Sequence, residues 1–193
     1  MAKRTFVTNF LMIIVIAGLV WFAYSDWSTR QKSGKSNLDA GNRYFEDGHY
    51  VEASEIFAAA VAKDPTDVDA KRGLARSYMQ LGKLDAALQQ FNQAIAQEPE
   101  FAPSYANRGI LHDRMQNYPL AIQDYQTALQ LDPELASGPG WLTRFLRNQA
   151  ERPSTILDRL HYLQSELQKP EHQRILEIPD KDQQQRPYKI DIN

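Results

Sequence analysis

Two arginines at helical spacing are the residues best suited to binding chemistry in this chain of 193 residues. Arg72 and Arg76 are four positions apart, so on a helix both guanidinium groups project from one face. Such a pair can donate charge-assisted hydrogen bonds to a partner's carboxylate. The spacing therefore predicts a site for an acidic or C-terminal peptide, although solvated arginines on a polar helix surface share the same pattern.

No other group of residues has the spacing of a catalytic or metal site. The histidines are scattered through the chain as His49, His112, His161 and His172. None belongs to an H-E-x-x-H motif, and the sequence has no cysteine and no G-x-S-x-G motif. We therefore expect a protein that is not an enzyme, with no catalytic residues, no cofactor and no metal.

The composition indicates a globular protein and bears on its class of partner. Hydrophobic residues make up 42% of the chain and charged residues 24%, which are ordinary values for a domain with a packed core. The formal net charge is −2, and such a surface does not attract polyanions. The charge therefore argues against nucleic acid as a partner.

An internal period of 34 residues organises the middle of the chain. Three copies, residues 34–67, 68–101 and 102–135, align without a gap. Each copy has small residues at its positions eight, twenty and twenty-seven, an aromatic ring at twenty-four and proline at thirty-two. In that order the residues are Gly41, Ala75 and Gly109; Ala53, Ala87 and Ala121; Ala60, Ala94 and Ala128; Phe57, Phe91 and Tyr125; Pro65, Pro99 and Pro133.

Each copy is predicted to form two helices that make a hairpin. Apolar residues recur at helical spacing, and each proline ends a unit because it lacks the N–H that a helix interior needs. One hairpin buries only part of its apolar surface, so it must stack on its neighbours. The predicted fold class is therefore all-α, a solenoid of three helical hairpins with C-terminal capping helices.

This pattern of small, aromatic and proline residues resembles the tetratricopeptide repeat. The resemblance covers residues 34–135, about half the chain. The departures are few: position four carries Asn37, Lys71 and Tyr105 in place of the usual tryptophan, and Gln116 stands where the other copies have Gly48 and Gly82.

The resemblance implies that the first helices of the hairpins line a concave groove that binds protein partners. It is partly similar to a carboxylate clamp, although arginines occupy the places of the expected lysine and asparagine. The groove residues that the resemblance implies are Asn42, Phe45, Arg72, Arg76, Met79, Asn107, Ile110, Arg114 and Arg144.

The C-terminal third is predicted to cap the solenoid. Residues 136–177 carry two apolar stripes at helical spacing, which suit either a cap on the last hairpin or the binding of a partner helix. Residues 178–193 are polar with proline and are predicted to form an extended or flexible tail.

The N-terminal segment is predicted to be a membrane anchor. A basic tail, residues 1–5, precedes an apolar run at residues 6–24 that would span about 28 Å as a helix. Trp21, Tyr24 and Trp27 suit the membrane interface, and residues 25–33 form a linker. A cleaved signal peptide and a buried core helix are the alternative interpretations.

These features together predict a single-pass membrane scaffold. The short basic tail favours an N-terminus in the cytoplasm, which in a bacterium places the repeats in the periplasm at the inner membrane. We expect an accessory or assembly factor of a membrane or envelope complex, whose partners are an acidic or C-terminal peptide or other membrane subunits. A stable structural subunit of such a complex is the alternative.

Overall fold

The computed structural model describes residues 15–25, 38–137, 154–177 and 187–188. Residues 15–25 are helical. The other described helices are α1 (residues 38–46), α2 (Tyr50–Lys63), α3 (Val68–Gln80), α4 (Leu84–Gln97), α5 (Ala102–Arg114), α6 (Tyr118–Leu131) and α7 (Ile156–Leu167). Short 3-10 helices lie at Pro133–Ala136 and Glu171–Gln173.

The helix ends follow from local chemistry. Asp67 accepts a hydrogen bond from the backbone N–H of Ala70 at 2.9 Å and so satisfies one of the unpaired donors at the start of α3. Thr155 and Asp158 form a capping box at the start of α7. These polar caps separate the helices at positions where the prolines already disfavour a continuous helix.

The turns inside the three hairpins have one geometry. Gly48 and Gly82 adopt φ of 83° and 72°, and Gln116 adopts 60°, so the third turn keeps the left-handed residue without glycine. The residue after each one donates a backbone hydrogen bond to the carbonyl five positions earlier. These bonds are His49 to Tyr44, Lys83 to Tyr78 and Asn117 to His112, at 2.8, 2.9 and 2.8 Å. Gln116 therefore adopts a conformation that costs a residue with a side chain about 1–2 kcal/mol.

The hairpins stack into two layers. Each helix from α2 to α6 packs against the next one along the chain. In addition, α3 packs against α5, whereas α4 packs less against α6. The first helices of neighbouring hairpins thus lie closer to each other than the second helices do, as expected on the inner side of a curved solenoid. This arrangement confirms the predicted all-α solenoid.

Aromatic rings of the second helices lie against residues that lack a side chain. A Cβ atom built on Gly41 or Gly73 would lie 2.8 or 2.4 Å from the ring of Phe57, and one built on Gly109 would lie 2.6 Å from Tyr125. Both rings are fully buried. Glycine at these positions lets the helices approach closely enough to enclose the ring.

The structure describes only part of the predicted N-terminal membrane anchor. Within the described parts of the chain, no helix is long and apolar enough to cross a membrane. Residues 1–14 and 26–37 lie outside the described residues, and with them residues 6–14 of the predicted span and most of the predicted linker, including Trp27. Trp21 and Tyr24 lie in the helical residues 15–25 and are 71% and 63% exposed.

Of the predicted C-terminal cap, the structure describes the second half, which contains α7. Helix α7 packs against α6 and against the 3-10 helix at Pro133–Ala136. Its Ile156, Leu160 and Leu163 belong to the hydrophobic core that also contains Ile110 and Tyr125. This helix therefore covers the last hairpin. The other predicted capping helix, within residues 138–153, lies outside the described residues.

Candidate functional site

The candidate groove is the inner layer formed by α1, α3 and α5, and all but one of its predicted residues lie on these helices. Phe45, Arg72, Arg76, Met79 and Asn107 are buried. Ile110 is buried too, Asn42 and Arg114 are partly buried, and Arg144 lies outside the described residues. The sequence pattern thus brings these side chains together, but the groove is more enclosed than an open peptide channel.

Arg72 links the second repeat to the third. It is 2% exposed, and its Nη1 and Nη2 donate to Asp69 at 2.9 Å and to Glu98 at 2.5 Å. Its Nε donates to Ser104 at 3.0 Å, and its guanidinium lies 3.8 Å from the centre of the Phe101 ring. Two carboxylates already accept from this guanidinium. Arg72 therefore holds repeats together, and the paired-arginine clamp predicted from the spacing is reduced to Arg76.

Arg76 is as buried as Arg72 but has far fewer hydrogen-bond partners. It is 1% exposed and stacks on the Phe45 ring at 4.1 Å, but its Nε and Nη1 have no hydrogen-bond partner among the described residues. Its nearest carboxylate, on Glu46, is 3.9 Å from Nη2. Burial lowers the pKa of Arg76 to about 10, and Glu46 opposes this shift. The guanidinium remains charged at neutral pH, while two of its nitrogens are buried without a hydrogen-bond partner among the described residues.

Asp113, at another inner-layer position, is bound by the capping helix. Arg159 of α7 donates to both of its carboxylate oxygens at 2.7 and 2.8 Å, and the Tyr125 hydroxyl donates to it at 3.3 Å. Asp113 is 7% and Arg159 6% exposed. Arg159 also donates to the carbonyl of Leu176 at 2.9 Å. This buried ion pair fixes α7 on the third repeat and makes the carboxylate unavailable to a partner.

Asn107 binds main chain from the far C-terminal segment. Its Nδ2 donates to the carbonyl of Tyr188 at 3.2 Å, and its Oδ1 accepts from the N–H of Tyr188 at 2.6 Å. The Tyr188 hydroxyl donates to the carbonyl of Leu135 at 3.1 Å. One asparagine thus satisfies both polar groups of a residue 81 positions away, and its own side chain is fully buried.

The histidine nearest the groove is enclosed by charged neighbours. His112 is 7% exposed, and its Nε2 lies 3.8 Å from Asp124. Desolvation lowers the pKa of His112, the carboxylate of Asp124 raises it, and the guanidinium of Arg108 lowers it further. No cluster of three or more histidine, aspartate or glutamate residues suited to a metal ion occurs within the described ranges.

Sequence reasoning missed the contacts that decide the role of each polar residue. Glu98 and Asp69 flank the buried Arg72, and only Asp69 lies at the local spacing that a helix pattern could show. Arg159 lies in an apolar stripe with no sign of its partner Asp113. The single tyrosine in the polar tail was the only available hint of the contact with Asn107.

Comparisons with known proteins agree with this architecture. Residues 44–107 match one tetratricopeptide repeat family model, and residues 102–135 match a second. These residues form tetratricopeptide repeats. The chain therefore carries a TPR protein-interaction scaffold.

Curated relatives include Hsp70-Hsp90 organizing protein 3 of Arabidopsis thaliana, which is 30% identical over 144 residues. That match covers 73% of this chain, but this chain spans only 26% of the relative's length. RNA polymerase II-associated protein 3 of Xenopus laevis is 33% identical over 97 residues, with 50% of this chain and 15% of the relative covered. This chain thus corresponds to only part of these longer proteins.

Solved TPR structures share the fold. The first TPR domain of human RPAP3 has 25% identity and a TM-score of 0.51, covering 68% of this chain and 95% of that domain. The first TPR of Spaghetti (RPAP3), solved with the HSP90 peptide SRMEEVD, has 22% identity and a TM-score of 0.56, covering 70% of this chain and 94% of that one. At 22% identity, the similarity to the Spaghetti domain shows the fold alone.

The two arginines are predicted to differ in their effect on stability. Arg72→Met removes the shared partner of Asp69, Glu98 and Ser104, so we expect the free energy of unfolding to fall by about 1–3 kcal/mol, since both carboxylates are partly exposed. Arg76→Met removes a buried charge with unpaired donors, so we expect stability within about 1 kcal/mol of wild type or higher. Urea denaturation followed by circular dichroism measures both, and an equal loss in the two variants would contradict the assignment.

Proposed function

We propose that this TPR protein is a non-enzymatic scaffold that binds an acidic segment of a partner protein in its groove and acts as an accessory or assembly factor at a membrane. The proposal takes the TPR fold as its basis, since TPR relatives are solved with bound protein segments.

Arg76 is the observation that carries the choice of an acidic ligand. A buried guanidinium without hydrogen-bond partners for two of its nitrogens is costly, and a carboxylate is the group that compensates it best. Its pKa of about 10 shows how poorly the present surroundings support its charge. Arg72, by contrast, already has two carboxylates. The geometry therefore supports one cationic contact for a ligand instead of a two-arginine clamp.

Asn107 adds main-chain recognition on the neighbouring inner helix. Its amide binds the N–H and the carbonyl of one residue, a mode that does not depend on that residue's side chain. An extended peptide can present both groups, because its backbone is not engaged in a helix. Arg76 and Asn107 thus supply the two functions that a peptide site requires, charge recognition and backbone recognition.

The peptide SRMEEVD, with three carboxylate side chains, is a suitable acidic probe. We expect the full chain to bind it, and Arg76→Met to weaken binding about 10–100-fold, because a hydrogen bond between charged groups contributes about 1.5–3 kcal/mol. Fluorescence anisotropy with labelled peptide gives the affinity. Arg43→Met, which removes an exposed arginine of α1, is the matched control.

A version of the same peptide with a C-terminal amide tests which carboxylate is bound. If Arg76 binds the terminal carboxylate, the amide binds more weakly; if it binds a side-chain carboxylate, the two peptides bind equally. No binding by the full chain, or equal affinity for wild type and Arg76→Met, would refute the proposed peptide site.

The membrane location rests on the apolar N-terminal segment. Its described part, residues 15–25, is a helix with large apolar side chains that are 50% to 71% exposed. Those exposed residues are Val15, Ile16, Leu19, Val20, Trp21, Phe22 and Tyr24. A helix with apolar residues on all sides is typical of a membrane span. We propose an uncleaved span with the repeats on the periplasmic side of a bacterial inner membrane.

Membrane integration is tested by extraction of membranes with alkaline carbonate. We expect the wild-type chain to stay in the membrane fraction, and Ile16→Lys with Val20→Lys to reduce retention strongly, because each lysine at the centre of a span costs about 2.5–3.5 kcal/mol. Leu120→Lys, at an exposed apolar position of α6, is the matched control. Recovery of the wild-type chain in the wash would contradict an integral anchor, and resistance of the repeats to protease in spheroplasts would contradict the periplasmic side.

A further inference from the structure

The segment that carries Tyr188 is bound in the manner of a peptide ligand. Both polar groups of the Tyr188 backbone pair with the single side chain of Asn107, at 2.6 and 3.2 Å. This pairing joins residues 81 positions apart and belongs to no helix of the solenoid. The contact is therefore with the inner layer of the repeats and resembles the way a partner's backbone would be held.

The side chain of Tyr188 makes a polar contact through its hydroxyl and apolar contacts through its ring. Its hydroxyl donates to the carbonyl of Leu135 at 3.1 Å, and Ile156 of α7 belongs to the apolar cluster beside the ring. The ring packs against the core cluster of the last hairpin and α7.

We propose that Asn107, Leu135 and Ile156 form a peptide site for a tyrosine-bearing segment, and that Tyr188 of the same chain occupies it as an internal competitor of the partner. The proposal rests on the proposed function only in taking the groove as the partner site. Asn107 is the residue that links the two, since one asparagine cannot pair with Tyr188 and with a partner's backbone at the same time.

The tether determines how strongly Tyr188 competes with a partner for the site. A tethered ligand acts at an effective concentration on the order of 1 mM. If the same segment binds as a free peptide with a Kd of about 100 μM, occupancy by the tether weakens binding of any competitor about tenfold. The affinity of the free segment thus fixes the size of the effect on partner binding.

The test uses the full chain and a labelled peptide of residues 183–193, QQQRPYKIDIN. We expect Tyr188→Ala to bind this peptide about tenfold more tightly than wild type, because its own tail no longer fills the pocket. Adding Asn107→Ala to that variant should abolish the gain. Tyr44→Ala, at an exposed tyrosine of α1, is the control and should bind like wild type. Equal affinity for wild type and Tyr188→Ala would overturn the proposal.

A second measurement does not depend on a variant of Tyr188 remaining folded. The chain has no cysteine, so Asn193→Cys places a single nitroxide label at the C-terminus. We expect excess free tail peptide to displace the tethered segment and to narrow the electron paramagnetic resonance lines. Lines that stay unchanged at saturating peptide would overturn the proposal.

The SRMEEVD probe separates this inference from the proposed function. Failure of SRMEEVD to bind both wild type and Tyr188→Ala refutes the acidic-peptide function, while the tail peptide still reports on the pocket. Binding of SRMEEVD to both with equal affinity refutes the internal competitor and leaves the partner site in place. Tighter binding of SRMEEVD to Tyr188→Ala supports both.

Discussion

The close approach of helices around enclosed aromatic rings is the constraint on which this structure depends. The ring of Phe57 lies where a Cβ on Gly41 or Gly73 would clash with it, and the ring of Tyr125 has the same relation to Gly109. A side chain at these positions would force the ring or the helix to move, at a typical cost of about 1–3 kcal/mol. The hairpin spacing is fixed by these contacts. The polar residues on the inner helices are therefore brought together and buried as a consequence of packing.

The buried polar residues of the inner layer differ in the partners that the fold provides for them. Arg72 receives carboxylates from its own helix and from the end of α4, and Asp113 receives Arg159 from the capping helix. Asn107 receives the backbone of Tyr188. Arg76 alone among these four has buried donors without a hydrogen-bond partner within the described residues. The proposed site for an acidic partner is based on this difference, and the lowered pKa of Arg76 is consistent with it.

The repeat architecture could be predicted from the sequence because its signals are local and occur three times. Small residues, rings and prolines in one register define the helices and their stacking, and the hairpin turn tolerates Gln116 because three copies impose the same geometry. The roles of the groove residues could not be predicted in the same way. Helical spacing places Arg72 and Arg76 on one face, but Glu98 lies 26 residues from Arg72 and Tyr188 lies 81 from Asn107. Periodicity carries no information about such pairs, which depend on the tertiary arrangement.

A crystal structure of the full chain with bound SRMEEVD peptide would test whether Arg76 and Asn107 bind the partner. We expect a peptide carboxylate within hydrogen-bond distance of Nε or Nη1 of Arg76. We also expect the peptide backbone to replace Tyr188 on the Asn107 amide. A peptide bound on the layer of α2, α4 and α6, with Arg76 and Asn107 arranged as they are in the free chain, would contradict both expectations.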